Sequence, residues 1–179
     1  NYDGSSPHRG DGFQFHVGTM RSKSRGFVAI KNADPQNSPT IKFNYLSHPD
    51  DLKDFRNAIR ITRNILDQPA FKDYAGQEIQ PKPTVKSNRE LDEFIKSSVE
   101  SAFHPCGTCK MGDPADKETV VTPECKVNGV ENLFCADSSI FPSITNGNLN
   151  APSIMVGEKA VDHILNKPLL PKENLVPYN

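Results

Sequence analysis

Fifteen prolines and eleven glycines are spread along this chain. They restrict it to short elements joined by many turns, because proline ends helices and interrupts strand ladders. A hydrophobic share of 35% over 179 residues suffices for one domain-sized core, or for the sequence-distant parts of two. Basic and acidic residues nearly cancel, 21 against 22, which removes the electrostatic case for nucleic acid or an anionic membrane surface as partner. No apolar run approaches the roughly 20 residues of a membrane-spanning helix. The chain starts Asn1-Tyr2-Asp3-Gly4, without an initiator Met or a signal-like apolar stretch, so a piece of a longer protein is expected. Its cysteines, Cys106, Cys109, Cys125 and Cys135, are expected as reduced thiols rather than a disulfide framework.

Residues up to about Asp11 read as a loop. Phe13, Phe15 and Val17 alternate with Gln14, His16 and Gly18, the period of a half-buried strand. Gly26 to Lys31 and Thr40 to Tyr45 read as two further strands, and the turn-forming stretch Asn32 to Pro39 between them predicts antiparallel pairing. A helix is expected from Pro49, with Asp50 and Asp51 in its first turn and Pro69 as its stop. Its inward stripe is Leu52, Phe55, Ile59 and Leu66, flanked by Ala58, Ile61 and Ile65. Ser87-Asn88-Arg89-Glu90 has the spacing of a capping box, opening a second helix with Leu91, Phe94, Ile95, Val99 and Ala102 turned inward. Short strand pieces are expected at Val120-Val121 and Lys126-Val127, with a tight turn at Asn128-Gly129. Leu133 to Ala136 reads as a strand, Ser138 to Asn150 as a loop. A last helix runs from about Pro152 to Leu165, with Pro152 at its first position.

The strand, polar loop and helix from Leu133 to Leu165 would present unpaired N–H groups at a helix start, which suits an anionic or electron-accepting ligand. An ordinary strand-to-helix connection explains the same pattern. Cys106-x-x-Cys109 is half of a zinc site or a redox pair, but Cys125 and Cys135 are ten positions apart and supply no second close pair. Packing as small apolar side chains accounts for them equally. His104 is the histidine that lies in a glycine-punctuated turn, and imidazole is the side chain suited to moving protons near neutral pH.

These motifs have a family likeness. His104-Pro-Cys-Gly-Thr-Cys-Lys-Met-Gly112, then Asn128-Gly129-Val130-Glu131-Asn132-Leu133, then Ala136-Asp137-Ser-Ser-Ile-Phe-Pro142, resemble the C-terminal signature of the glucose–methanol–choline (GMC) oxidoreductases. Gly147-Asn148-Leu149-Asn150-Ala151-Pro152, followed by Gly157-Glu158-Lys159-Ala160, is most similar to the choline-oxidising branch. Upstream, Gln14-Phe15-His16, Ser24-Arg25-Gly26, Ala33-Asp34-Pro35 and Phe43-Asn44-Tyr45-Leu46-Ser47 fit the same group.

The resemblance implies an α+β chain. Residues 1–11 would be a loop and 12–130 part of a substrate-binding domain built on an antiparallel sheet with covering helices. Residues 131–167 would be the last strand, loop and helix of a Rossmann-like FAD domain, and 168–179 a tail. No G-x-G-x-x-G occurs, so the ADP-binding half is expected elsewhere, and this piece alone is expected to be inactive. The implied activity is FAD-dependent oxidation of a primary alcohol, choline to betaine aldehyde foremost, with His104 and Asn148 at the reacting hydroxyl. Asp137 and Ser138 would lie by the cofactor's ribityl and phosphate chain, and Asn150, Ala151 and Pro152 against its ring. Tyr45 and Phe141 are aromatics that an ammonium would suit, and each is equally suited to a core. An oxidase or dehydrogenase for another alcohol is the alternative within the family, and a zinc-binding or scaffold module on Cys106 and Cys109 the alternative outside it. The resemblance leaves the electron acceptor open between oxygen, a quinone and a respiratory chain. It is compatible with self-association and with a cytoplasmic or peripheral inner-membrane location.

Overall fold

The computed structural model describes residues 10–168, 170, 171 and 173. By internal contacts the chain divides into two units, one through Glu100 and one from Ser101. The division falls inside the stretch 12–130 that the sequence assigns to one portion, because the polar turns after Ser101 pack on the segments that follow them (Met111 and Val127 on the Val121–Ile140 core).

In the first unit two strands, β1 (Phe27–Ala29) and β2 (Thr40–Lys42), pair antiparallel with Val28 opposite Ile41. The hairpin between them is closed as its residues predict. Asn37 N–H donates to the Asp34 carbonyl, and the Asn32 and Asp34 side chains accept from Asp34 N and Gln36 N. The strands are shorter than expected. A Cβ on Gly26 would lie 2.0 Å from the Lys42 carbonyl oxygen, so the ribbon closes up there on a position only glycine can fill.

Pro49 opens α1 (Pro49–Leu66), and α2 (Asn88–Ser98) packs against it. Their shared core is Ile59, Leu91 and Ile95, with Leu46, Leu52, Phe55, Val85 and Phe94 partly buried around it. Ile61 and Ile65, expected at the edge of the stripe, are instead exposed. Val99 and Ala102 fall beyond the end of α2. Arg56 bridges to Asp92 at 2.6 Å across the helix pair. Arg63 joins Glu78 and the Val85 carbonyl, holding the 78–85 loop to α1.

The expected strand over residues 13–17 is not formed. Phe13 and Phe15 cluster with Phe71, ring centroids 5.8 to 6.4 Å apart. Alternation makes a segment two-faced, and here the two phenylalanines turn to an aromatic cluster instead of a ladder.

The second unit is mostly loop around a core of Val121, Cys125, Ile140, Val156 and Ala160. The expected strand pieces are single bridges: Met111 with Val121, Val121 with Val127, and Lys126 with Phe134. Leu133 to Ala136 is therefore not a strand of its own, and no Rossmann sheet is present among the described residues. Asn128-Gly129 does turn, with Gly129 at φ 76°. The last helix, α3 (Asn150–Ile164), begins two residues before Pro152. Pro152 then lies within the first turn, where its missing N–H has no helical acceptor to lose. Among the described residues no helix is long and apolar enough to cross a membrane.

Candidate active site

All the residues singled out for catalysis or cofactor binding lie in the second unit. His104 is half-buried, and its Nδ1 lies 3.2 Å from the carbonyl oxygen of Phe103. A carbonyl can only accept, so that contact places the proton on Nδ1 and leaves the Nε2 lone pair as the atom able to take one. His48 shows the reverse arrangement. Its Nδ1 accepts from the Asp50 backbone N–H at 3.2 Å at the start of α1, which puts its proton on Nε2.

Phe103 has φ 59° and is 72% exposed, with its N–H held by the Ser101 hydroxyl at 2.9 Å. A bulky residue in the left-handed region is rare and costs on the order of 1–3 kcal/mol, and such residues cluster at functional sites. Sequence reasoning missed it, because neither glycine nor asparagine marks the position.

From His104 the chain runs beside the segment after Asp137. Gly107, Cys109 and Met111 donate their N–H groups to the carbonyls of Ser138, Ser139 and Ile140 at 3.3, 2.8 and 2.8 Å. The Ser138 hydroxyl donates to the Pro105 carbonyl at 3.2 Å. Gly107 sits at φ 86°, and a Cβ there would stand 3.1 Å from the Phe141 carbonyl oxygen, so close approach and backbone conformation both require glycine. Asp137 caps the short 3-10 turn at Ser138–Ile140 by accepting the Ser139 N–H at 2.8 Å. Its side chain is otherwise exposed. Ile140 in turn packs on Val156 and Ala160 of α3. The structure thus links the His104, Asp137–Ser138 and α3 segments through one turn.

The start of α3 is unusual. Its cap is Leu149, 4% exposed, with no side-chain cap bond and no acid in the first turn. The helical ladder begins at Ser153, whose N–H donates to the Leu149 carbonyl. Asn150 and Ala151 therefore keep open N–H groups at the positive end of the helix dipole, and Pro152 has none. Nearby in sequence, Thr145 Oγ1 is buried without a partner among the described residues. Buried polar atoms without partners are uncommon and point to an absent group. The Asn148 carboxamide is exposed.

Several readings are corrected or narrowed. No group of three or more His, Cys, Asp or Glu among the described residues could hold a metal, so Cys106 and Cys109 lack the further ligands of a zinc site. Phe141 packs on the core. Tyr45, in the first unit, stacks on Phe43 with centroids 5.2 Å apart. Two concavities of about 470 Å³ around residues 77–94 are lined by none of the candidate residues.

Comparison with known proteins agrees with the motifs. The family model described as GMC oxidoreductase matches residues 22–157. The oxygen-dependent choline dehydrogenase of Brucella ovis is 59% identical over 99% of this chain and 32% of that protein. The chain therefore spans about a third of the length of the curated relatives it matches. Pyridoxine 4-oxidase from Mesorbium loti superposes with a TM-score of 0.76 at 31% identity, covering 84% of this chain and 29% of that one. An FAD-dependent oxidoreductase from Chaetomium thermophilum gives a TM-score of 0.74 at 26% identity, over 79% and 24%. With the family model matching more than half of its length, this chain belongs to the GMC oxidoreductases.

Proposed function

We propose that this chain supplies the proton-handling part of an FAD-dependent oxidoreductase acting on a primary alcohol, with choline as the preferred substrate. The observation that carries the reading is the contact of His104 Nδ1 with the Phe103 carbonyl, which, with Nδ1 as the donor, leaves Nε2 to accept a hydroxyl proton. The substrate follows from the name shared by relatives 54–59% identical to this chain.

The residues present fit a flavin. An electron-rich ring edge suits the open N–H groups of Asn150 and Ala151 and the positive end of α3, and the buried Thr145 hydroxyl has no partner among the described residues. Asp137 keeps carboxylate capacity beyond the Ser139 N–H for hydroxyls of a ribityl chain, with the Ser138 oxygen beside it. When bound, FAD supplies the hydride acceptor for the substrate α-carbon. His104 Nε2 takes the hydroxyl proton, and the resulting imidazolium stabilises the alkoxide oxygen. Asn148 exchanges no proton at these pH values, so its carboxamide orients that oxygen by hydrogen bonding. On this reading residues 131–167 belong to the cofactor domain.

The name of the relatives, oxygen-dependent choline dehydrogenase, favours oxygen as the electron acceptor. The test is oxidation of choline by the full-length protein, with an artificial acceptor and with oxygen, against a panel of primary alcohols. Strong preference for choline is expected. Turnover of other alcohols without choline would discard the substrate and keep the reaction class. A flavin-loaded protein that oxidises none of them would remove the activity.

A further inference from the structure

His104 is anchored from both sides along the chain. Pro105 follows it and disfavours the helical region for the histidine backbone, and the Pro105 carbonyl accepts the Ser138 hydroxyl at 3.2 Å. Phe103 precedes it at φ 59°, a conformation that a bulky residue keeps only where its surroundings hold it. A holder is present. The half-buried Ser101 accepts the Phe103 N–H on its hydroxyl oxygen at 2.9 Å. A serine oxygen bonded to the backbone two residues on closes a local turn. The other end of Phe103, its carbonyl, meets His104 Nδ1 at 3.2 Å. Ser101 and the imidazole thus grip one strained residue from its two ends, and the backbone angles of Phe103 are what connect them.

We infer that Ser101 is a positioning residue for His104: its hydroxyl holds Phe103 in the left-handed region and so aims the Phe103 carbonyl at Nδ1. The inference rests on the proposed role of His104 as the group that takes the hydroxyl proton. A neutral imidazole has two tautomers, and only the one protonated at Nδ1 leaves Nε2 able to accept a proton. Which tautomer is present is set by the partner of the other nitrogen, here the Phe103 carbonyl. Alanine at position 101 offers no oxygen to the Phe103 N–H. Phe103 then relaxes towards the ordinary backbone regions and carries its carbonyl away from the ring. Without that acceptor the proton distributes over both nitrogens, and Nε2 is blocked in the share that carries it. Ser101 therefore acts through the backbone of Phe103 and not on the reacting atoms.

The test uses the full-length protein with its flavin bound and its histidine ring nitrogens isotopically labelled. Nitrogen NMR at alkaline pH distinguishes a ring nitrogen that carries a proton from one that does not, and His104→Ala identifies the His104 signals by their loss. In the wild type Nδ1 should carry the proton. Ser101→Ala should spread it over both nitrogens and lower kcat by about tenfold, the scale of one lost hydrogen bond, with KM little changed. Ser101→Thr keeps an acceptor oxygen and should restore both the signals and the turnover. A merely structural role would lower the melting temperature and leave the tautomer alone. Unchanged His104 signals in a folded Ser101→Ala protein overturn the inference, whatever its turnover. A proton on Nε2 in the wild type overturns it as well, and needs no variant to fold. Full turnover by His104→Ala would instead remove the proposed role of His104, while the ring signals still decide whether Ser101 sets the tautomer.

Discussion

The helix starts of the two units are built to opposite rules. In the first unit both are closed. At α1, His48 caps the Asp50 N–H and two acids occupy the first turn. One of them, Asp51, is buried and grips the preceding loop, accepting from Ser22 Oγ, Lys23 N, Ser24 N and Ser24 Oγ at 2.5 to 3.2 Å. At α2, Ser87 and Glu90 complete a reciprocal capping box. In the second unit α3 has an apolar cap, no first-turn acid and open N–H groups. A helix end that satisfies itself contributes stability. One left open contributes binding potential. On the proposed reading, the open helix end belongs to the unit that carries the chemistry.

That contrast can be broken in several places, first through turnover and cofactor binding and then through stability, the larger effect first within each. In the full-length protein His104→Ala should lower turnover by on the order of 10²-fold or more while leaving the melting temperature nearly unchanged. Asn148→Ala should cost less, about tenfold, as for one neutral hydrogen bond. Steady-state kinetics beside a thermal melt separates the two readouts, and the reverse ranking would exchange the roles of the two residues.

Closing the open end should act on the cofactor. Ala151→Asp puts a carboxylate in the exposed first turn of α3, where it complements the dipole and repels an electron-rich ring. FAD affinity should fall by about tenfold while the helix itself gains slightly. Unchanged affinity in a flavin titration would detach this helix from the cofactor.

Opening a closed end should act on stability instead. Asp51→Asn replaces a charged acceptor with an amide whose N–H₂ faces donors, at a cost of about 2–3 kcal/mol. The pH dependence has a definite sign. Burial raises the Asp51 carboxyl, but the bonds from Ser24, Lys23 and Ser22 outweigh it and leave it below the ordinary 3.8. Its contribution is therefore complete above pH 3.8 and is lost as pH falls through the lower folded value. Wild-type and Asp51→Asn melting temperatures should converge in that acid window. The smallest effect belongs to Ser87→Ala at α2, about 1 kcal/mol by loss of the cap, with turnover unaltered.

The closed ends were legible and the open one was not, for a physical reason. Capping residues announce themselves: Ser87 and Glu90 lie at the required spacing, and Pro49 with Asp50 and Asp51 marks a helix start. Leu149 announces nothing, so Pro152 drew the expected boundary two residues late. The β content was over-read for a related reason. Alternation at Phe13, Phe15 and Val17, and the apolar run at Leu133, encode faces, whereas strands are made by partners distant in sequence. His104 stood out by its glycine-punctuated setting and by family likeness. Its tautomer depends on a neighbouring carbonyl, which residue types do not encode.

Phe103 sets stability against use. Its left-handed backbone carries a steric cost that glycine would not, so Phe103→Gly should relieve that strain even as it loosens the backbone whose carbonyl meets the His104 ring. A selection for thermal tolerance would favour that change, and a selection for turnover would remove it. If the proposed role of His104 holds, the strained residue beside it is a position where an engineer following stability alone would be led away from turnover.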